Sequence, residues 1–275
     1  MKIEDFQDII YEKEENGICT ITFNRPERKN AFSFITFLEI ATVIDDMEAD
    51  KNARVLIMTG CKEARAFSSG GYFNMKMLTS IPEELKKEID FLDIAQKKIC
   101  LKFWDFSKPV IAAINGLAVG AGITMPLACA DLIYMADDPD TWLGFYFVKR
   151  AIVPEFGTSF VLPFYLGFQK AKEILYFGDK IHAKEAEKLG LINRALPPEE
   201  LIPHAREQAL KLIPPKGPSV ALKLMKKTMH DYFRQIISQT LDKENEALRA
   251  AFKTHDMRES TRALQEKREP KFKGK

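Results

Sequence analysis

The chain has 275 residues, of which 46% are hydrophobic and 29% charged, a balance typical of a globular protein that buries a sizeable core. Its 41 basic and 39 acidic residues leave a net charge of +2, so the overall charge gives no sign of a nucleic-acid partner or an anionic membrane surface. No apolar run approaches the roughly 20 residues that cross a bilayer, and the acidic N-terminus is unlike a signal peptide. We therefore expect a cytoplasmic protein that binds neither nucleic acid nor membrane.

The cysteines and histidines are dispersed along the chain. Neither zinc-ligand spacing nor a disulfide framework is visible among the four cysteines, which are Cys19, Cys61, Cys100 and Cys129. We therefore expect buried free thiols and no metal site.

Short apolar runs alternate with helical patterns in the first two thirds of the chain. Buried strands are predicted for the runs that are rich in β-branched residues: ICTITF from Ile18, RVLIMTG from Arg54 and PVIAAING from Pro109. Helix-spaced apolar residues predict a helix from Phe34 to Asp50, and an acidic opening predicts another from Pro82 to Trp104. This alternation predicts an α/β architecture.

From about Glu199 the strand patterns stop. Four helical segments are predicted there, interrupted by the breaker PPKGPS at Pro214 to Ser219. We therefore divide the chain into a core, residues 1–198, and a helical C-terminal region, residues 199–275. The basic tail from Lys267 is expected to fray at its last residues.

The most informative stretch is KPVIAAINGLAVGAGITMPLACADLIYMA, where an apolar strand meets a Gly-Ala-Gly turn and a small-residue helix from about Ala121 to Cys129. Small residues at Gly120, Ala121 and Gly122 allow a ligand to lie against the backbone, and the N–H groups at a helix start favour developing negative charge on an oxygen. The same pattern also fits a tight turn made small for packing.

Five ordered blocks, which together cover nearly the whole chain, resemble the crotonase superfamily. They are the Gly-rich segment, AFSSGGYFNM at Ala66, NRPERKNAF at Asn24, GDKIHAKEAEKLGLINRALP at Gly178 and DMRESTRALQEKREPKF at Asp256. The resemblance implies a spiral core of ββα units followed by a helical trimerisation region, assembled as a homotrimer or hexamer. It also implies an acyl-CoA thioester as substrate, so coenzyme A belongs to the substrate and no separate cofactor is expected.

The resemblance implies a role for particular positions. The backbone N–H groups of Gly71 and Ala121 would grip the thioester oxygen, strengthening as an enolate forms. Contacts with the substrate and its coenzyme A moiety would come from Arg28, Lys29, Ser69, Gly70, Gly120, Thr124, Phe147 and Lys267. Taken locally, each of these cations is equally well explained as solvated surface.

The acid and base positions indicate which reaction the chain performs. Hydratases of this family use two glutamates, whose places are taken here by Thr124 and Phe147, and neither is a carboxylate. The position of the single glutamate in double-bond-shifting members holds Glu155, for which an aromatic wall of Phe145, Phe147, Phe156 and Phe160 could raise the pKa. The pattern Pro-Glu also fits an ordinary helix start, with Pro at the first position.

The sequence departs from the family pattern after Gly71, where Tyr72 replaces the usual acid. Core or pocket lining is the interpretation of the nearby apolar residues Phe73, Met75, Met77, Leu78 and Trp104. The sequence thus favours a Δ3,Δ2-enoyl-CoA isomerase with one glutamate. Two alternatives stay open: a hydratase or hydrolase of acyl-CoA, and a non-catalytic CoA-binding protein.

Overall fold

The computed structural model of the chain describes residues 1–71 and 81–275. Its strands are β1 Ile9–Lys13, β2 Ile18–Phe23, β3 Val55–Gly60, β4 Ala66–Ser68, β5 Val110–Ile114, β6 Leu117–Val119, β7 Leu132–Ala136, β8 Trp142–Gly144, β9 Lys180–His182 and β10 Arg194–Leu196. Its α-helices are α1 Phe34–Ala49, α2 Glu83–Lys86, α3 Lys97–Asp105, α4 Ala121–Cys129, α5 Thr158–Leu166, α6 Phe168–Phe177, α7 Ala183–Leu189, α8 Pro198–Leu212, α9 Ser219–Ala251 and α10 His255–Gln265.

Two sheets share the core. The larger has the strand order β1-β2-β3-β5-β7-β10 and the smaller the order β4-β6-β8-β9. Except for the antiparallel pairs β1·β2 and β8·β9, neighbouring strands are parallel, as in the register from Ile18↔Val55 to Phe23↔Gly60. Because β3, β5 and β7 enter one sheet and β4, β6 and β8 the other, each repeat contributes one strand to each sheet before a helix follows. This is the predicted spiral of ββα units.

The predicted strands are confirmed to within two residues at each end, because their composition suits burial on both faces. Every residue of β3 and of β5 is buried, as expected for strands inside a parallel sheet. The helix predicted from Phe34 is also confirmed. The Ser33 hydroxyl accepts hydrogen bonds from the N–H groups of Ile35 and Thr36 and so caps its first turn.

The single helix predicted from Pro82 to Trp104 is wrong. The structure has α2 and α3 instead, and Gln96, just before α3, lies in the left-handed region at φ 59°. The Asp93 carboxylate accepts the N–H groups of Lys97 and Lys98 at 2.7 and 2.9 Å. A carboxylate that satisfies the first donors of a helix starts a new helix there rather than continuing an earlier one.

The C-terminal region also differs from the expectation in two details. It holds three helices rather than four, because α9 continues without interruption for 33 residues. The tail does not fray: the Asp256 carboxylate accepts the N–H groups of Lys273 and Gly274, both at 2.7 Å. A side chain at the start of α10 therefore anchors the last residues.

The cysteines are all buried with free thiols, as expected. Within the described ranges, no helix combines the length and the apolar character needed to span a bilayer. The same residues hold no group of three or more His, Cys, Asp or Glu placed to bind a metal ion.

Candidate active site

Two turns meet at the carboxyl ends of β4 and β6. A Cβ placed on Gly70, whose φ is +97°, would lie 2.6 Å from the Val119 carbonyl oxygen and 3.6 Å from the Ala121 nitrogen. A Cβ on Gly122 would lie 2.3 Å from the Ser68 carbonyl oxygen. Such distances leave no room for a side chain, so the two backbones touch only because these positions are glycine.

The contact brings both predicted oxyanion positions to one place. Gly71 follows β4 and pairs with Phe32 in a parallel bridge, while Ala121 is the first residue of α4, after Gly120. Positive charge from the dipole of α4 accumulates at this end of the helix. The arrangement suits the stabilisation of a negatively charged oxygen between the two turns.

Glu155 lies over this junction. A Cβ placed on Gly120 would be 4.0 Å from Glu155 Oε1, 4.0 Å from Gly70 Cα and 4.0 Å from a ring carbon of Phe147. The space above Gly120 is therefore lined by a carboxyl group, the Gly70 backbone and an aromatic edge. The predicted acid/base residue therefore borders the space where the Gly70 and Gly120 turns meet.

The Glu155 side chain is buried, with 8% of its residue surface exposed. Burial, followed by the nearby negative charge of Glu244, raises the pKa of this carboxyl to about 8, against an opposing hydrogen bond from the Ala121 backbone. Loss of solvation disfavours the ionised form, and a second carboxylate acts in the same direction. Glu155 is thus a group that can exchange a proton near neutral pH.

Glu155 does not lie in the first turn of a helix, which was the alternative interpretation of Pro154-Glu155. Helix α5 begins only at Thr158. The Thr158 N–H and hydroxyl donate to the Glu155 carbonyl oxygen at 3.1 and 2.6 Å. The backbone of Glu155 therefore supports the helix start while its side chain is left for the site.

The two positions that the resemblance matches to hydratase glutamates hold Phe147 and Thr124, and neither side chain can exchange a proton near neutral pH. Phe147 is buried and faces the space over Gly120. Thr124 is completely buried, and its hydroxyl makes no hydrogen bond within residues 1–71 and 81–275. An unpaired buried hydroxyl costs free energy, so Thr124 carries an unused polar group one turn into α4.

Of the predicted aromatic wall, Phe147 is the member that the geometry places at the site. Phe156 packs against Phe37, with ring centroids 5.9 Å apart, inside the core. Phe160 packs against Phe233 at 5.8 Å. Phe145 is fully buried in the core cluster.

Trp104, which was predicted as core or pocket lining, has a structural role. Its indole N–H donates to the Ala128 carbonyl oxygen at 2.8 Å, and its ring stacks on His230. The other residues with that interpretation, Phe73, Met75, Met77 and Leu78, lie outside the described residues, as does Tyr72.

The predicted coenzyme A contacts are brought together in part. The Ser69 N–H donates to the Lys29 carbonyl oxygen at 2.9 Å, and the Ser69 hydroxyl donates to the Arg28 carbonyl oxygen at 3.1 Å. The exposed Arg28 and Lys29 therefore sit on the turn that leads to Gly71. Lys267 is exposed at the end of α10, and the structure does not join it to this turn.

Sequence reasoning missed Glu244, a buried carboxyl on α9 that touches the segment following Glu155. A signal was present. The buried apolar positions Ile237, Leu241 and Leu248 continue one helical stripe through position 244. An acid on the apolar stripe of a helix requires a partner in the core.

Comparison with known proteins identifies the family. The sequence profile described as "Enoyl-CoA hydratase/isomerase" matches residues 13–275. A crotonyl-CoA hydratase from Syntrophomonas wolfei is 31% identical over 97% of this chain and 98% of its own length. A 1,2-epoxyphenylacetyl-CoA isomerase from Escherichia coli is 29% identical over 98% of this chain and 99% of its own length.

The fold is likewise shared with solved structures. An enoyl-CoA hydratase/isomerase from Pseudoalteromonas atlantica superposes with a TM-score of 0.83 over 97% of this chain and all of its own, at 22% identity. OdaA from Pseudomonas aeruginosa superposes with a TM-score of 0.78 at 28% identity, covering 94% and 98% of the two chains. With the profile match along nearly its whole length, the chain belongs to the enoyl-CoA hydratase/isomerase family, within the crotonase superfamily.

Proposed function

We propose that the protein is a Δ3,Δ2-enoyl-CoA isomerase in which Glu155 alone carries the proton. The observation that carries the proposal is the placement of the Glu155 carboxyl, 4.0 Å from the point where a Cβ on Gly120 would stand. Phe147 borders the same space, and Thr124 lies one turn along α4. These two residues stand at the positions that the resemblance matches to the hydratase glutamates, and neither is a carboxylate. One carboxyl with two backbone donors suffices for a double-bond shift.

In this mechanism the thioester oxygen of a 3-enoyl-CoA lies between the N–H groups of Gly71 and Ala121. The ionised Glu155 takes a proton from C2, and the electron pair of the broken C–H bond spreads over the thioester and the double bond as a dienolate. The proton then returns from Glu155 to C4, which leaves the conjugated 2-enoyl thioester. No atom is gained or lost, and the carboxylate is regenerated.

The electrostatics of the site support this assignment. A carboxyl with a pKa of about 8 is a stronger base than an ordinary glutamate, and its conjugate acid still releases the proton near neutral pH. The glycines at 70 and 122 let the two turns that carry the proposed donors contact each other, and donors placed in advance need little reorganisation as charge develops. We assign coenzyme A binding to Arg28, Lys29, Ser69, Gly70, Gly120 and Lys267.

Water addition to a 2-enoyl-CoA is the second candidate, because the relative from Syntrophomonas wolfei is named a hydratase. Hydrolysis of the thioester and non-catalytic binding of CoA remain further alternatives. Hydration here would require Glu155 alone to activate water, since Thr124 and Phe147 supply no carboxylate. We therefore expect isomerisation to be much faster than hydration.

The experiment offers the protein a 3-enoyl-CoA, a 2-enoyl-CoA and a saturated acyl-CoA, and records conjugation, water addition and free thiol. The wild type should conjugate the 3-enoyl-CoA. Folded Glu155→Gln should lose this activity while its CoA affinity stays within about twofold, because glutamine keeps the shape but accepts no proton. Hydration that rivals isomerisation in the wild type, or isomerisation by Glu155→Gln at the wild-type rate, would refute the assignment.

We further propose that the protein is a cytoplasmic homotrimer or a dimer of trimers, with residues 199–275 as the oligomerisation region. Large apolar side chains are exposed on neighbouring helices, namely Phe164, Phe168 and Tyr176 on α5 and α6 and Val220, Met229 and Tyr232 on α9. Exposed apolar surface of this extent favours association. Light scattering over a dilution series should give at least three times the chain mass, and a stable, active monomer would contradict the proposal.

A further inference from the structure

We infer that Glu244 is the positioning residue of the active site: from helix α9 it holds the turn that presents Glu155 and fixes the orientation and ionisation of that carboxyl. The inference rests on the proposed role of Glu155 in proton transfer. It concerns a residue far away in the sequence, on a helix that the sequence assigns to assembly.

The Glu244 carboxylate binds the segment after Glu155 with both oxygens. Oε2 accepts the Gly157 N–H at 2.7 Å, and Oε1 accepts the Ser159 N–H at 2.8 Å. These are first-turn donors of α5, which have no partner within the helix. A buried carboxylate that accepts two short hydrogen bonds fixes this segment in a single position relative to α9.

The neighbouring residue on α9 secures the other side of the same turn. The Asn245 amide oxygen accepts the Ala95 N–H at 2.7 Å, and the Ala95 carbonyl oxygen accepts the Phe156 N–H at 3.1 Å. Phe156 has a φ of +55°, a conformation that a bulky residue adopts only when its surroundings impose it. Two consecutive residues of α9 thus clamp the chain immediately after Glu155.

Glu244 acts through this turn rather than on the substrate. It borders a groove of about 1050 Å³ that is also lined by Val153, Pro154 and Ser159, whereas the Glu155 carboxyl faces Gly120. The two carboxyls therefore serve different faces of one loop.

The charge of Glu244 also acts on Glu155. It is the second cause, after burial, of the raised pKa of the Glu155 carboxyl, and burial raises the pKa of Glu244 itself to about 7. Other titratable or charged groups around the turn come from α3, from the segment before it and from α9: Cys100, Asp93, the Lys97–Asp242 ion pair, Lys243 and Arg249. None of these is a cause of the Glu155 pKa shift.

The test compares Glu244→Gln with Glu246→Gln, a matched control that removes the same charge from an exposed position on α9. Glutamine accepts only one of the two N–H groups and presents its own NH₂ to the other. We expect Glu244→Gln to lower kcat by about tenfold or more with KM within about twofold, since misplacement of a proton acceptor affects the chemical step. Glu246→Gln should match the wild type.

The second readout follows the ionisation of Glu155 directly, without any reaction. Carbon-13 NMR of glutamate-labelled protein, with Glu155→Gln to assign the resonance, should show the Glu155 pKa lower in Glu244→Gln by about half a unit or more, because a neighbouring negative charge is gone. If the wild type fails to isomerise a 3-enoyl-CoA but the Glu155 pKa is still lower in Glu244→Gln, the proposed function is refuted and the inference stands. An unchanged Glu155 pKa together with wild-type kcat would overturn the inference.

A charge-conserving variant separates positioning from charge and covers the case in which Glu244→Gln does not fold. Asp at 244 keeps the negative charge but is one methylene too short to reach both N–H groups. Glu244→Asp should therefore lose kcat while the Glu155 pKa remains close to the wild-type value. Wild-type kcat in folded Glu244→Asp would contradict the positioning role.

Discussion

The buried Glu155 carboxyl should make the stability of the protein depend on pH in a direction that is easily tested. Its pKa in the folded protein is raised from the ordinary 4.5 to about 8. Below pH 4.5 the group is protonated in both the folded and unfolded states, so it does not affect their balance. Between pH 4.5 and 8 the unfolded chain loses the proton while the folded protein retains it, and the free energy of unfolding therefore falls as pH rises.

The size of the effect follows from the two pKa values. Each pH unit between them changes the free energy of unfolding by about 1.4 kcal/mol. Through Glu155 alone, the wild type should lose about 3–4 kcal/mol of stability between pH 5 and pH 8. Glu155→Gln carries no proton equilibrium at this position, so it should match the wild type at pH 5 and exceed it by this amount at pH 8.

The measurement is urea unfolding of both proteins at a fixed protomer concentration, at half-unit steps from pH 5 to pH 8.5. Buried acids that do not interact with Glu155, such as Glu39, whose pKa is raised to about 7, change stability in both proteins and cancel in the difference. Glu246→Gln, at an exposed position, should differ from the wild type by an amount that does not vary with pH. A pH-independent difference between Glu155→Gln and the wild type would show that Glu155 is not held protonated and would refute the reasoning.

Three further outcomes are expected. Turnover of a 3-enoyl-CoA by the wild type should rise about tenfold per pH unit below pH 8 and then level off, because Glu155 must be ionised to accept the C2 proton; a flat profile from pH 6 would contradict this. Ala121→Pro should fold, since Ala121 is the first residue of α4, yet lose about a hundredfold in turnover with CoA binding retained; wild-type turnover would show that its N–H does not contact the thioester oxygen. Thr124→Val should raise the free energy of unfolding by about 1 kcal/mol in urea titrations, because it removes a buried hydroxyl that has no hydrogen-bond partner among the described residues; a decrease of that size would mean that the hydroxyl has a partner.

Local composition was enough to predict much of this protein. The runs at Ile18, Arg54 and Pro109 are rich in apolar and β-branched residues, a composition that suits buried strands. The Gly-Ala-Gly turn followed by a helix from Ala121 to Cys129 was predicted with the bounds that the structure has, because glycine permits the positive φ of 53° that Gly120 adopts just before the helix. The ordered motifs along the chain were also sufficient to identify the superfamily, and the sequence profile match agrees with that identification.

The tertiary structure decided what depends on contacts between distant residues. Pro154-Glu155 reads equally well as a helix start, and only the fold shows that α5 begins at Thr158 and that the Glu155 side chain faces Gly120. The break between α2 and α3 and the anchored tail depend on single carboxylates, Asp93 and Asp256, that bind backbone N–H groups.

Glu244 illustrates the physical reason most clearly. Its partner Gly157 lies 87 positions away in the sequence, and periodicity reports which face of a helix is buried but not what lies against it. The sequence alone therefore predicted three strands of the larger sheet, the Gly-rich turn and the family. Which side chains meet at the site, and which carboxyl shifts the pKa of another, depends on the packing of helix α9 against the Glu155 turn.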